Sequence, residues 1–312
     1  MLMCFGALGF LVRACYTRFM TGEIKNPKRE LVEVVALIPA RGGQQSVEYK
    51  NLQKLGGKTL LAWAVEVALA AEKIDAVVVS TEDERIADEA KKLGVAVAPR
   101  PAEFSRPESG DAGWYRHAVE WMEKEFGWQP EYLVNLRPTS PLRFAADIDK
   151  MIEYIKSSGA DGVKSVIPAP MHPYKMWLFQ VAGSIPRRPK GYGGQGQQVA
   201  RDDADTISIP VGFSGKLNPV FDNDFRQQHG PDQPRQKIQE MFPVFWQDGQ
   251  VDITRRKFVL RPEALERENI WGDNLHGYVL DPRTSTDLDE PKDFVRAEKI
   301  YEEIEKERGV NK

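Results

Sequence analysis

The chain has 312 residues, of which 41% are hydrophobic and 29% charged, with a formal net charge of -3 at pH 7. That length can bury a large core, and so small a charge excludes a basic nucleic-acid or membrane-surface protein, so an anionic ligand must be met by local charge. The two cysteines, Cys4 and Cys15, both fall near the N-terminus; the body of the chain has no disulfide framework, thiolate metal ligand or cysteine nucleophile, which fits a reducing, cytoplasmic setting.

Residues 1–12 are apolar but too short to cross a bilayer, and no cationic stretch precedes them. A weakly ordered extension over residues 1–32 is expected, or a start at Met20, with no membrane role. From Val34 the run Val-Val-Ala-Leu-Ile-Pro reads as a buried strand that empties into a loop holding Ala40, Arg41, Gly42, Gly43, Lys50 and Asn51. Glycines let backbone N–H groups approach phosphate oxygens at a strand's carboxyl end, and Arg41 and Lys50 add charge. An ordinary βα turn with two solvated cations is the alternative.

Helical spacing over residues 58–73 is followed by a second buried strand at 75–80, a charged helix at 82–93 and a third strand at 95–98. This alternation predicts a doubly wound, mostly parallel α/β sheet with helices on both faces. Residues 100–111 read as a loop whose Arg100 faces either the ligand crevice or solvent. The next helix, 114–126, presents Trp114, His117, Ala118, Trp121 and Met122 on one face, and His117 reads as packed, since no metal-ligand partner shares that face.

A fourth strand at 131–136 runs into Arg137-Pro138-Thr139-Ser140-Pro141-Leu142-Arg143. Two prolines stiffen this loop, while its hydroxyls and guanidinium groups can donate to phosphate or carboxylate oxygens; a rigid loop with helix-capping residues is the bland reading. After a helix from Ala146 and a fifth strand at 161–167, regularity fails over 183–236, where glycine, proline and glutamine crowd together as in a partner-binding arm or a lid. Order returns from 242, with strands at 251–254 and 277–280 and a helix over 291–308. Between them Asp287 and Asp289, one residue apart, point the same way if extended, and suit a hard divalent cation.

These motifs, in this order, resemble the acylneuraminate cytidylyltransferases, the CMP-sialic acid synthetases, over roughly residues 34–294. The resemblance rests on Ile38-Pro39-Ala40-Arg41-Gly42-Gly43 with Lys50-Asn51, on Pro138 to Arg143, on His172-Pro173-Tyr174-Lys175, on Pro234-Arg235-Gln236, and on Asp287-Leu288-Asp289 with Asp293. It implies a Rossmann-like nucleotidyltransferase domain over 33–312, with 183–236 as an inserted dimerisation arm and a homodimer. It also implies CTP and an acidic nine-carbon sugar as substrates, with Mg²⁺ held by Asp287 and Asp289. Arg41, Lys50 and Asp287 would serve catalysis. The nucleotide would be met by Ala40 to Gly43, Asn51, Arg100, Pro138, Thr139 and Ser140, and the sugar by Arg137, Arg143, Lys175, Arg235, Gln236 and Gly249, with Arg143 either beside the sugar or bracing its loop.

Three departures stand out. Gln44-Gln45-Ser46 replaces the family's usual Ser-Lys-Gly, Arg137 its usual Gln, and Asp248 its usual Asn before Gly249. They leave open a different nucleotide or sugar, as in guanylyltransferases or ketodeoxyoctonate-type enzymes, and a non-catalytic nucleotide-binding homologue.

Overall fold

The computed structural model describes residues 31–43, 47–106, 108–169, 177–179, 217–219 and 245–310. The chain divides into two compact units, residues 1–167 with 246–312, and residues 168–245. In the second, the described residues form an antiparallel pair, β8 (Trp177–Phe179) and β9 (Leu217–Pro219), with Leu178 opposite Asn218.

The first unit is built on a seven-stranded sheet. Its strands are β1 (Val34–Pro39), β4 (Ala76–Thr81), β5 (Ala96–Pro99), β6 (Tyr132–Asn135), β7 (Gly162–Pro168), β10 (Phe245–Arg255) and β11 (Leu275–Val279), in the order β11-β7-β10-β6-β1-β4-β5. β1 lies parallel to β4 and to β6, with Ala36 opposite both Val77 and Val134. β4 and β5 are parallel, as are β7 and β11, whereas β10 runs antiparallel to β6. A small hairpin, β2 (Lys54–Leu55) and β3 (Lys58–Thr59), turns on Gly56 and Gly57, both at positive φ, as a primed turn requires.

Alternate residues of β1 enter different layers. Val34, Ala36 and Ile38 pack with α1 (Leu60–Ala70), α2 (Glu84–Lys92) and α4 (Ala145–Ser158). Val35 and Leu37 pack with α3 (Asp111–Phe126), α5 (Arg256–Leu260) and α6 (Glu263–Arg267). A strand buried on both faces must read as a continuous apolar run, which is why β1 and β4 were legible. A third cluster joins Leu55, Leu60, Leu142 and Leu288 to Ala297 of α7 (Pro291–Val310), with Phe294, Tyr301 and Ile304 packed against it.

Details differ from the periodicity. On α3 the fully buried positions are Tyr115, Ala118, Val119 and Met122, while His117 and Trp121 are half-buried; His117 rests 6.5 Å from the Phe104 ring and Trp121 meets Phe126 edge-on at 5.2 Å. α3 also begins three residues earlier than its apolar stripe, at Asp111, a carboxylate suited to the positive end of the helix dipole. Among the described residues no helix is long and apolar enough to cross a membrane.

The chain crosses from β1 to β4 and β5 on one side, then returns to β6 on the other. The strand order therefore reverses beside β1, and a crevice is expected beyond the carboxyl ends at that point.

Candidate active site

A cleft of about 420 Å³ lies there. One wall comes from the segment after β1. Arg41 lines it and donates Nη1 to the Arg106 carbonyl at 3.3 Å. Asn51 is buried and ties the loop shut by donating Nδ2 to the Arg41 carbonyl at 2.8 Å. Lys50 also lines the cleft and pairs through Nζ with Asp289 Oδ1 at 2.6 Å. Gly42 fits only as glycine, because a Cβ there would stand 2.3 Å from Asp83 Oδ2; its N–H donates to Glu82 Oε1 at 2.7 Å. Asp83 is fixed in turn, capping α2 and accepting from Arg85.

The opposite wall is the loop after β6, carrying Arg137, Pro138 and Thr139, with Asp287 and Asp289 alongside. The Leu288 N–H donates to the Thr139 carbonyl at 3.0 Å. Leu288 is fully buried while its two neighbours are exposed, so both carboxylates turn away from the core as an extended segment demands. Partial burial, then repulsion from Asp289, raises the Asp287 carboxyl above the ordinary carboxylate range, against a hydrogen bond from Thr139 and the charge of Lys50. A crowded pair of hard oxygen donors suits Mg²⁺. Among the described residues no group of three or more His, Cys, Asp or Glu converges on one metal position.

At the third side Arg100 is buried and donates Nε and Nη2 to the Ser80 hydroxyl and carbonyl at 3.1 and 2.8 Å, with its guanidinium 5.1 Å from the Trp114 ring centre. Burial draws its pKa down to about 10, against the pull of Glu82 and Asp111. Beside it Arg137 divides its fork, Nη2 to Asp111 Oδ2 at 2.9 Å and Nη1 to Asp252 Oδ2 at 3.2 Å. Burial acts against the Arg137 charge, but Asp252 and Asp111 outweigh it and leave its pKa raised. Asp252 stands opposite Asn135 in the sheet; burial raises its pKa, opposed by Lys164, whose Nζ lies 4.0 Å away and 3.9 Å over the Trp271 ring.

The cleft thus brings together Arg41, Lys50, Asn51, Arg100, Arg137, Pro138, Thr139, Asp287 and Asp289 of the residues singled out from sequence. Others turn inward. Ala40 and Ser140 are buried off the cleft. Arg143 is buried and hydrogen-bonded to the Arg137 carbonyl, so it braces the loop; burial lowers its pKa to about 9, with Asp248 opposing. Asp248 is held by Ser165 and, at 2.6 Å, by Gln250 Nε2, and Gly249 takes a positive φ of 68° beside Arg137. Lys175, Arg235, Gln236, Gln44 and Gln45 lie outside the described residues, as does nearly all of the 183–236 arm. The sequence reading missed Asp111 and Asp252; a lone carboxylate inside the apolar strand Val251-Asp252-Ile253 was the available signal.

Residues 35–176 match the family model described as cytidylyltransferase. The chain is 24% identical over 279 residues to post-translational flagellin modification protein B of Campylobacter coli, covering 89% of this chain and 97% of that protein. It is also 24% identical over 278 residues to an N-acylneuraminate cytidylyltransferase of Escherichia coli O18:K1:H7, covering 88% of this chain but 54% of that protein, so it spans about half that relative's length. Its fold is that of a CMP:2-keto-3-deoxy-manno-octonic acid synthetase solved with CTP, at a TM-score of 0.54 and 17% identity, over 86% of this chain and 99% of that one. The matched segment holds nearly all of β1, all of β4 to β6 and the loops after β1 and β6 that line the cleft, so over these residues the chain is similar to the cytidylyltransferases.

Proposed function

We propose that the protein transfers CMP from CTP to the anomeric hydroxyl of a sialic-acid-like nonulosonic acid. The hydroxyl oxygen bonds to the α-phosphorus, the bond to the bridging oxygen breaks, pyrophosphate leaves with that electron pair, and the hydroxyl proton passes to water. One observation carries the reading: Arg41 and Lys50 share a single cleft with Asp287 and Asp289, held in register through Thr139. In-line attack on a polyphosphate needs fixed cations for the spectator oxygens and neutralisation of the leaving group.

Arg41 and Lys50 bind the phosphates, Asn51 keeps the Arg41 carbonyl and loop in place, and Arg100 with Trp114 bounds the nucleoside end. Asp287 and Asp289 would hold Mg²⁺, which when bound neutralises charge on the departing pyrophosphate. Lys50, already paired with Asp289, orients that carboxylate. Lys175, Arg235 and Gln236 are proposed, from the resemblance, to hold the acidic sugar. A homodimer formed through the 183–236 arm and a cytoplasmic location belong to the same proposal.

Pyrophosphate release by the purified protein from each nucleoside triphosphate, with N-acetylneuraminate, legionaminate or ketodeoxyoctonate, tests it. Release with CTP and a nine-carbon acid, lost on chelation and restored by Mg²⁺, is expected. Release with another nucleotide, or preference for the eight-carbon acid, would overturn it.

A further inference from the structure

The cleft ends on an ion pair that the phosphate chemistry does not use. Arg137 is shared between two carboxylates of unlike character. Asp252 has a side chain only 1% exposed, lies among Arg137, Lys164 and Asn135, and cannot leave without stranding buried charge. Asp111 is 46% exposed, sits on the first turn of α3, and spends its other oxygen on Trp114 Nε1 at 2.9 Å. Exposed ion pairs of this kind are weak and exchangeable. A guanidinium pinned on one side by a buried carboxylate and covered on the other by a solvated one is shaped to receive one more planar carboxylate.

Resting on the reading of this cleft as an acidic-sugar site, we infer that the substrate's carboxylate takes over the Arg137 Nη2 held here by Asp111, and that Asp252 is the positioning residue that keeps the guanidinium aimed into the cleft. The exchange replaces one carboxylate contact on Nη2 by another, Asp111 stays nearby on Trp114 as a competing charge, and the bond to Asp252 persists throughout. Gly249 adjoins this point: a Cβ built on it would approach Arg137 Nη1 to 3.6 Å. The phosphates have separate partners in Arg41 and Lys50, which leaves Arg137 to the sugar.

Calorimetric titration of the full chain with N-acetylneuraminate tests this, with its methyl ester and pyrophosphate as controls. Asp111→Asn removes the internal competitor and keeps Arg137, so binding of the acid should tighten about 3–10-fold, while Asp252→Asn should weaken it about 10-fold or more. The ester should not respond to Asp111→Asn, and pyrophosphate affinity should stay within about twofold in every variant. Weaker acid binding in Asp111→Asn, an equal effect on pyrophosphate, or no binding of the acid to the wild type at millimolar concentration would overturn the inference. Asp252 is buried, so thermal melts accompany its variant; Asp111→Asn and Asp111→Ala, at an exposed carboxylate, carry the sign alone. Turnover with CTP on the same samples separates the two ideas. Turnover without the Asp111 effect keeps the transferase and sinks the exchange, whereas the Asp111 effect without turnover keeps the exchange and sinks the transferase.

Discussion

The backbone N–H of Leu288 bonds to the carbonyl of Thr139 at 3.0 Å, and the Leu288 side chain is fully buried against Leu55, Leu60, Leu142 and Ala297. One core residue thus sets where two surface carboxylates stand. Leu288→Ala should lower stability by about 2–4 kcal/mol through the cavity it leaves. It should also cut pyrophosphate release per folded molecule, because Asp287 and Asp289 lose their register. Urea unfolding and assays on the same preparation check this; full turnover per folded molecule would mean the carboxylates are positioned otherwise.

Asp287→Asn should reduce turnover by about 100-fold or more. The same change should not destabilise the protein near neutral pH and is expected to raise its melting temperature there. The wild-type carboxyl has a folded pKa above the ordinary range, so its ionised form is the one that folding disfavours. The advantage of the amide should shrink as pH falls through the carboxylate range, which melting curves across pH would follow.

Gly42→Ala places a methyl group against the Asp83 carboxylate that caps α2. Either the loop shifts or the cap breaks, and a lost cap costs about 1 kcal/mol. The expected result is a raised KM for CTP with little change in KM for the sugar. Equal rises in both would point to general misfolding.

His117 supplies a pH dependence. Burial lowers its pKa below the ordinary value of 6.5, and its Nδ1 is buried without a hydrogen-bond partner. The folded state therefore binds fewer protons than the unfolded chain: the associated stability is present above the ordinary pKa and is lost as pH falls through it toward the folded value. His117→Phe should melt progressively higher than the wild type as pH drops from about 7.5 to about 5.5. A melting difference constant over that range would show that His117 does not titrate as placed.

Much of this was legible for physical reasons. Strands buried on both faces cannot hide, so Val77-Val78-Val79 announced a central strand, and Gly42-Gly43 after β1 marked a loop whose Arg41, Lys50 and Asn51 line the cleft. The Asp287-Leu288-Asp289 alternation predicted its own geometry. What stayed hidden depends on pairing across distance. Arg137 and Asp252 are 115 residues apart, and only the placement of β10 beside β6 makes them partners. Ser140 looked like a ligand donor because its loop is polar, yet its side chain goes into the interior; of the two readings of Arg143, beside the sugar or bracing its loop, the buried bond to the Arg137 carbonyl is the second. On α3 Trp114, Ala118 and Met122 of the expected stripe are core, joined by Tyr115 and Val119, while His117 and Trp121 only border that layer.

The strand order also shapes how the protein is born. β6, β1, β4 and β5 are complete once residue 135 has left the ribosome, and their parallel ladders can form at once. β7 is made soon after, but both of its neighbours, β10 and β11, come from residues 245–279. At about 5–20 residues per second the nascent strand waits several seconds with both edges unpaired. Its apolar residues, Val163 and Val166 among them, are then open to chaperones or to another nascent copy. Slowed translation between residues 168 and 245 should therefore lower soluble yield more than the same pause after residue 280.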